Sequence, residues 1–140
     1  MYYNKTMFDE AGVPYPEAGW TYDDMLEIAK KLTIPGEQYG VGIGASNADP
    51  SNVFLTLSPV IWSYGGDYLN EDQTECTLNT PEAIEAIRYW TGLYTTEKVA
   101  PEGAVNYTMT KDIMPLFIEN KVALMMGGDQ NAVEFDTNYP

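Results

Sequence analysis

The chain has 140 residues, enough for one domain with a real core, and its 44% hydrophobic and 20% charged residues are ordinary for a globular protein. Its 21 acidic against 7 basic residues give a formal charge of −14, which repels phosphate backbones and anionic membranes and argues against nucleic acid as a partner. With a single cysteine, Cys76, and no histidine, an internal disulfide, multi-thiolate metal sites and the common zinc and acid–base constellations fall away, and no cofactor is expected. No stretch of about 18 apolar residues is present, and the amino terminus lacks the basic-then-apolar order of a secretory signal.

Met1-Tyr2-Tyr3-Asn4-Lys5 reads as a short extended entry, with Thr6 placed to cap a brief helix over residues 7–11 that Gly12 closes. Pro14 and Pro16 keep the next stretch extended. Thr21 then stands as an N-cap with acids in the first turn, and Trp20 is positioned to pack on Met25 as a hydrophobic staple, which accounts for Trp20 without a ligand. A helix is expected over Tyr22–Leu32, burying Tyr22, Met25, Ile28, Ala29 and Leu32. Lys30 and Lys31 fall in its last turn, where the macrodipole favours cations. After Pro35-Gly36, residues 39–43 read as a glycine-punctuated strand. These glycines lack the spacing of a dinucleotide fingerprint, and no Gly-Lys-Ser or Gly-Lys-Thr follows.

Within residues 54–67, Phe54, Leu55, Leu57, Ile61 and Trp62 recur at three- and four-residue spacing and predict a helix with one buried stripe. Its start lies near Asp49 or Ser51, and Pro59 predicts a kink near Leu55. Gly65 and Gly66 end it, supplying the positive φ that a helix C-terminus often needs and room for close approach. Trp62 at this end is either core or a stacking platform for the apolar face of a ligand, with Tyr64 and Asp67 adding hydrogen-bonding groups.

Residues 67–80 have the pattern of a hairpin, on which Cys76 is expected as a small packed residue. Its turn, Asn70-Glu71-Asp72-Gln73, lacks the glycine and the bidentate Glu of a calcium loop. Thr80-Pro81-Glu82 opens the clearest helix, whose predicted buried stripe is Ala83, Ile84, Ile87, Trp90 and Tyr94. Residues 99–103 connect to a helix expected over about 110–120, with Ile113, Met114, Phe117 and Ile118 on its apolar side. Residues 122–126 form an apolar run short enough for a fully buried strand. It opens into Gly127, Gly128, Asp129 and Gln130, and open α/β sheets place ligands beyond the carboxyl ends of strands. No closing element is identified at Tyr139-Pro140. The class is α/β, with helices packed on a small sheet.

Taken in order, YYNKTMFDEAGV, WTYDDMLEIAKKLT, YGVGIG, FLTLSPVIWSYGGDYLNED, TLNTPEAIEAIRYWTGLY and FIENKVALMMGG resemble the second lobe of family 1 extracellular solute-binding proteins, the sugar-binding components of ABC importers. The resemblance implies one lobe of a type II periplasmic-binding-protein-like fold, a small mixed sheet flanked by helices. Residues 1–140 would then be a single domain, part of the second of two lobes that close on ligand about a hinge. The Tyr-Asn-Lys segment would enter from the hinge, and Trp62, Tyr64, Gly65, Gly66 and Asp67 would face or flank the cleft. Asn106, Tyr107 and the turn carrying Gly128, Asp129 and Gln130 would complete its wall. Many relatives carry a stacking aromatic after the last glycines. Asp129-Gln130 stands there in this chain, which moves stacking to Trp62 or Tyr107, or replaces it with polar readout.

The partners implied are a carbohydrate, ABC permease subunits in the membrane, and a first lobe of the same protein outside this chain. The implied location is the outer face of a bacterial membrane, held by a lipid anchor, or the periplasm. On this reading the chain is a piece of a longer protein, and half a cleft binds sugar weakly or not measurably. An alternative is a glycosidase fragment using Asp67 and Asp129, each after a Gly-Gly turn, as paired carboxylates. Acids are so abundant here that two beside glycines are expected by chance. A third reading is a bare interaction domain whose exposed acids meet a permease.

Overall fold

The computed structural model describes residues 1–138. At its centre is β3 (Val122–Met125), with all its residues buried. The run carries no polar side chain, so it can sit between two strands and beneath helices without a solvated face. β1 (Tyr2–Tyr3) pairs antiparallel on one side, setting Tyr2 opposite Met125. β2 (Tyr39–Gly42) pairs parallel on the other, setting Val41 opposite Leu124. The sheet is mixed, in the order β1–β3–β2, which agrees with the small mixed sheet expected.

α1 (Lys5–Ala11) is capped by Asn4 rather than Thr6: the Asn4 Oδ1 accepts from the Met7 amide at 3.1 Å. Asn4 is the last non-helical residue, from which a short side-chain acceptor reaches the third helical amide. α2 (Tyr22–Leu32) has the expected bounds and a reciprocal capping box. The Asp24 amide donates to Thr21 Oγ1 at 3.2 Å and the Thr21 amide to Asp24 Oδ2 at 2.8 Å, and the hydrogen bonds from Thr21 hold the Asp24 carboxyl below its ordinary value.

α3 (Pro50–Ser63) departs most from the sequence pattern. Of the predicted stripe only Ile61 is fully buried and Leu57 half-buried, whereas Phe54, Leu55 and Trp62 are 52%, 60% and 52% exposed. Asn52, Thr56 and Ser58 face inward instead. They can do so because each polar atom finds a partner within the fold. Thr56 Oγ1 donates to the Asn52 carbonyl at 2.8 Å, and Ser58 Oγ donates to the Phe54 carbonyl and lies 2.8 Å from the Tyr68 hydroxyl. A hydroxyl satisfied by its own helix packs at little polar cost. The helix runs through Pro59 and ends at Gly65, whose φ of 81° is the positive value expected there.

α4 (Pro81–Thr95) buries Ala83, Ala86, Trp90 and Leu93. The predicted Ile84 is 42% exposed, and Ile87 and Tyr94 are half-buried. The face is rotated because α4 packs on α3 and the chain after it through alanines, small residues that permit close approach. Residues 67–80 form a rudimentary hairpin with one bridge, Leu69 to Cys76, and Cys76 is exposed rather than packed. The helix expected over 110–120 is divided. A wide turn over Met109–Ile113, with the Ile113 amide donating to the Thr108 carbonyl at 3.2 Å, precedes α5 (Met114–Ile118). Pro115 has no amide to bond the Lys111 carbonyl, so the regular ladder cannot pass through it.

The chain also has the closing element that its pattern did not disclose. α6 (Asp129–Asn138) begins directly after the glycines, and its Phe135 ring meets Tyr2 at 5.3 Å and Phe117 at 5.5 Å. Tyr139 and Pro140 lie outside the described residues.

The tightest contact between layers is α2 on β2, where a Cβ added to Gly40 would stand 2.0 Å from the Ala29 carbonyl oxygen. Backbone cannot swing aside as a side-chain tip can. Gly40→Ala is therefore expected to cost about 3 kcal/mol or more in urea denaturation. An unchanged midpoint would show that α2 does not sit at this distance.

Candidate ligand-binding site

The carboxyl end of β3 passes through Met126, Gly127 and Gly128 into a cavity of about 450 Å³. The glycine turn is held from two sides: the Gly128 amide donates to Asn131 Oδ1 at 3.1 Å, and the Tyr2 hydroxyl donates to the Gly128 carbonyl at 2.7 Å. Opposite stand Asp49, at the N-cap of α3, and Ser51, Asn52, Leu55, Thr56 and Pro59 within the helix. Met109 and Thr110 form a further side, and Tyr22 and Met1 lie at an edge.

Asn52 organises this wall. Its Nδ2 donates to the Asp49 carbonyl at 3.2 Å and its Oδ1 accepts from the Met109 amide at 3.0 Å, tying the start of α3 to the wide turn before α5. The Gly44 amide, just past β2, donates to Met109 Sδ at 3.1 Å and fixes the same turn from the sheet side. Asp49 is more exposed and ionised: the hydroxyl of Ser51 donates to its carboxylate and holds its pKa below the ordinary value, with Lys111 adding a smaller attraction. Leu55, 60% exposed, gives the wall an open apolar surface between these polar groups. The cavity therefore offers an anionic acceptor, hydroxyls and an aliphatic face. That combination can bind a neutral polyol by hydrogen bonds and apolar contact.

The residues proposed from sequence do not share one concavity. Trp62, Gly65, Gly66 and Asp67 line a separate cavity of about 710 Å³ beside the rudimentary hairpin. There Trp62 Nε1 donates to Asp67 Oδ1 at 3.2 Å, and the same oxygen accepts from the Tyr68 amide at 2.7 Å. Tyr64 turns to another cavity, of about 660 Å³, together with Trp20 and Tyr22. Asn106 is exposed, and the half-buried Tyr107 lies so close to Gly103 that an added Cβ would stand 2.6 Å from its ring. Neither lines these three cavities, although the Tyr107 carbonyl accepts from the Ser46 amide at 3.1 Å. Of the proposed turn, Gly127 and Gly128 line the cavity at the end of β3. Asp129 begins α6, and the side chain of Gln130 lies outside the described part of the structure.

Asp49, Ser51, Asn52, Leu55 and Asn131 escaped the sequence reading. The loop after β2 was legible as polar, and the rule that ligands gather beyond strand ends applied to β2 as well as to β3. Leu55 and Asn52 were hidden by the assumption that apolar residues of α3 face inward.

The family model for bacterial extracellular solute-binding proteins matches residues 1–140. The chain belongs to that family. Among curated relatives, a binding protein of Brucella abortus (strain 2308) is 34% identical over 127 residues, covering 90% of this chain and 29% of that one. Among solved structures, it is similar to an ABC substrate-binding protein from Listeria monocytogenes in complex with cycloalternan, at 33% identity and a TM-score of 0.82, covering 98% of this chain and 33% of that chain. It is also similar to an ABC transporter solute-binding protein from Thermotoga lettingae bound with alpha-D-tagatose, at 26% identity and a TM-score of 0.83, covering 97% of this chain and 34% of that chain. The chain thus spans about a third of the length of these relatives. The relatives matched are solute-binding proteins; of the two carboxylates considered for glycoside hydrolysis, Asp67 lines the cavity beside the hairpin and Asp129 stands at the start of α6.

Two outcomes follow from this geometry. Asn52→Leu keeps the branched shape but leaves the half-buried Met109 amide without its acceptor, and is expected to lower stability by about 1–3 kcal/mol in urea denaturation, with Met109 and Gly44 showing the largest amide NMR shifts. The second concerns Tyr22, Tyr64 and Tyr89, whose phenols burial pushes up; Tyr64 and Asp23 add to the shift at Tyr89. A pKa raised on folding gives stability that is complete below the ordinary tyrosine value and lost as pH rises through the folded one, so unfolding free energy should fall above about pH 10. Tyr89→Phe should make that fall shallower; an identical alkaline profile in the variant would remove Tyr89 as its source.

Proposed function

We propose that this chain forms one wall of a carbohydrate site in the substrate-binding component of an ABC importer, and that the ligand seats in the cavity beyond β2 and β3. The observation that carries the reading is the cavity itself, where Asp49 at the cap of α3, and Ser51 and Leu55 within it, face the glycine turn at Gly127 and Gly128. A sugar ring has hydroxyls around its edge and C–H groups on its faces. Asp49 and Ser51 suit the first and Leu55 the second. The Listeria and Thermotoga relatives, whose structures hold cycloalternan and tagatose, support a carbohydrate as the solute.

The segment expected to lie next to the hinge pairs with the end of β3, so it runs along the same edge as the cavity. A first lobe closing from that edge would complete the site and exclude water, and permease subunits would receive the closed form. The protein would work at the outer face of the cell or in the periplasm. One wall supplies roughly half the contacts and no closure, so its intrinsic affinity is low.

Calorimetric titration with a panel of mono- and oligosaccharides tests this. The 140-residue chain should bind none of them at micromolar affinity or tighter, whereas the parent protein with both lobes should bind at least one tightly. In that protein Leu55→Ala or Asp49→Asn should weaken binding about tenfold or more. Tight binding by the chain alone would contradict the one-wall reading, and unchanged affinity in both variants would move the ligand out of this cavity.

A further inference from the structure

The cavity of about 660 Å³ between the start of α2 and the end of α3 shares Met1 and Tyr22 with the one assigned to carbohydrate but is otherwise built from different residues. Three half-buried rings line it, Trp20, Tyr22 and Tyr64. Two of them are fixed from behind by Tyr89. Its ring meets Tyr22 edge-on at 5.8 Å and 65° and Tyr64 at 5.9 Å and 40°, while its hydroxyl donates to the Tyr22 carbonyl. Rings held in this way lose little freedom when a ligand arrives.

The side-chain charges around these rings have one sign: Asp23 and Glu85 line the cavity, and among the described residues no lysine or arginine side chain does, while Met1 borders it as well. Both carboxylates act on the Tyr64 hydroxyl, whose pKa is pushed up first by burial and then by these two charges. The carboxyl end of α3, at Ser63 and Tyr64, adds the negative pole of a helix. The positive pole at the start of α2 is offset by Asp23 and by Asp24, which the capping box holds in its charged form. An anion is repelled here, and a neutral ligand gains nothing from the charges. A cation gains from the carboxylates and from the negative faces of the rings together.

The geometry points to a second ligand site in this cavity, one for a small organic cation of the quaternary ammonium type, held by Trp20, Tyr22 and Tyr64 and by the carboxylates of Asp23 and Glu85. It stands apart from the carbohydrate reading: either site can be occupied by its ligand whether or not the other is.

The probes are choline and 3,3-dimethyl-1-butanol, a neutral molecule of the same shape, titrated into the whole chain at low ionic strength and followed by indole and tyrosine NMR signals. Choline should shift the Trp20 indole signal saturably, and the neutral probe should bind at least about tenfold more weakly. Asp23→Asn combined with Glu85→Gln should bring choline down to the level of the neutral probe. In the unaltered protein, added salt should weaken choline and leave the neutral probe unchanged. Equal binding of the two probes, or choline affinity indifferent to salt, would reduce the cavity to an apolar pocket. Absence of a saturable Trp20 shift would remove the site altogether. A sugar titration of the parent protein with both lobes reads the other cavity, so failure of one assignment is distinguishable from failure of the other.

Discussion

The arrangement depends on β3 being buried on every side. A strand that shares hydrogen bonds with β1 on one edge and β2 on the other, with helices over it, has no room for a polar side chain, and Val122–Met125 supplies none. Its neighbours must then approach closely, and Gly40 on β2 lets the backbone of α2 do so. With the middle of the sheet fixed, its carboxyl end is fixed too. The chain leaves Met126 into two glycines whose backbone is held by Tyr2 and Asn131, so the edge proposed to receive a ligand is set by the same packing that makes the core.

α3 meets that edge with an unusual division of labour. A helix that turns Asn52, Thr56 and Ser58 inward and leaves Phe54, Leu55 and Trp62 outside inverts the normal preference, which is stable only because the inward polar atoms are paired. The consequence is a row of apolar surface along the outer side of α3. Leu55 stands in the cavity beyond β3, and Trp62 stands in the one beside the hairpin. Exposed apolar groups flanked by polar ones suit a recognition surface, and the proposed carbohydrate site draws on this row at Leu55.

This is also why the sequence disclosed the fold better than the site. Caps, proline positions and apolar runs are local, so α2, α4, the central strand and the order of the family's motifs could be read from the chain. The orientation of α3 is not local. It depends on whether Asn52 meets the Met109 amide, 57 residues away, and no spacing within the helix reports that bond. Counting apolar residues as buried placed Trp62 and Tyr64 together at the end of a buried helix, whereas the helix directs them into separate cavities. α6 was missed for a related reason. It is a mostly polar helix, and Phe135, packed on Tyr2 and Phe117, is its clearest apolar anchor.

The net charge of −14 takes on a different meaning once these surfaces are placed. Long-range repulsion from so acidic a chain costs a neutral sugar nothing, so the cavity beyond β3 can sit in a negative field and still select a polyol by hydrogen bonds and shape. The cavity lined by Trp20 and Tyr64 is different, because there the same field is concentrated by Asp23 and Glu85 and has aromatic rings beside it. Tyr22 and Met1 border both cavities, but the other lining residues differ, so each ligand meets its own set of side chains and the two readings stand or fall separately.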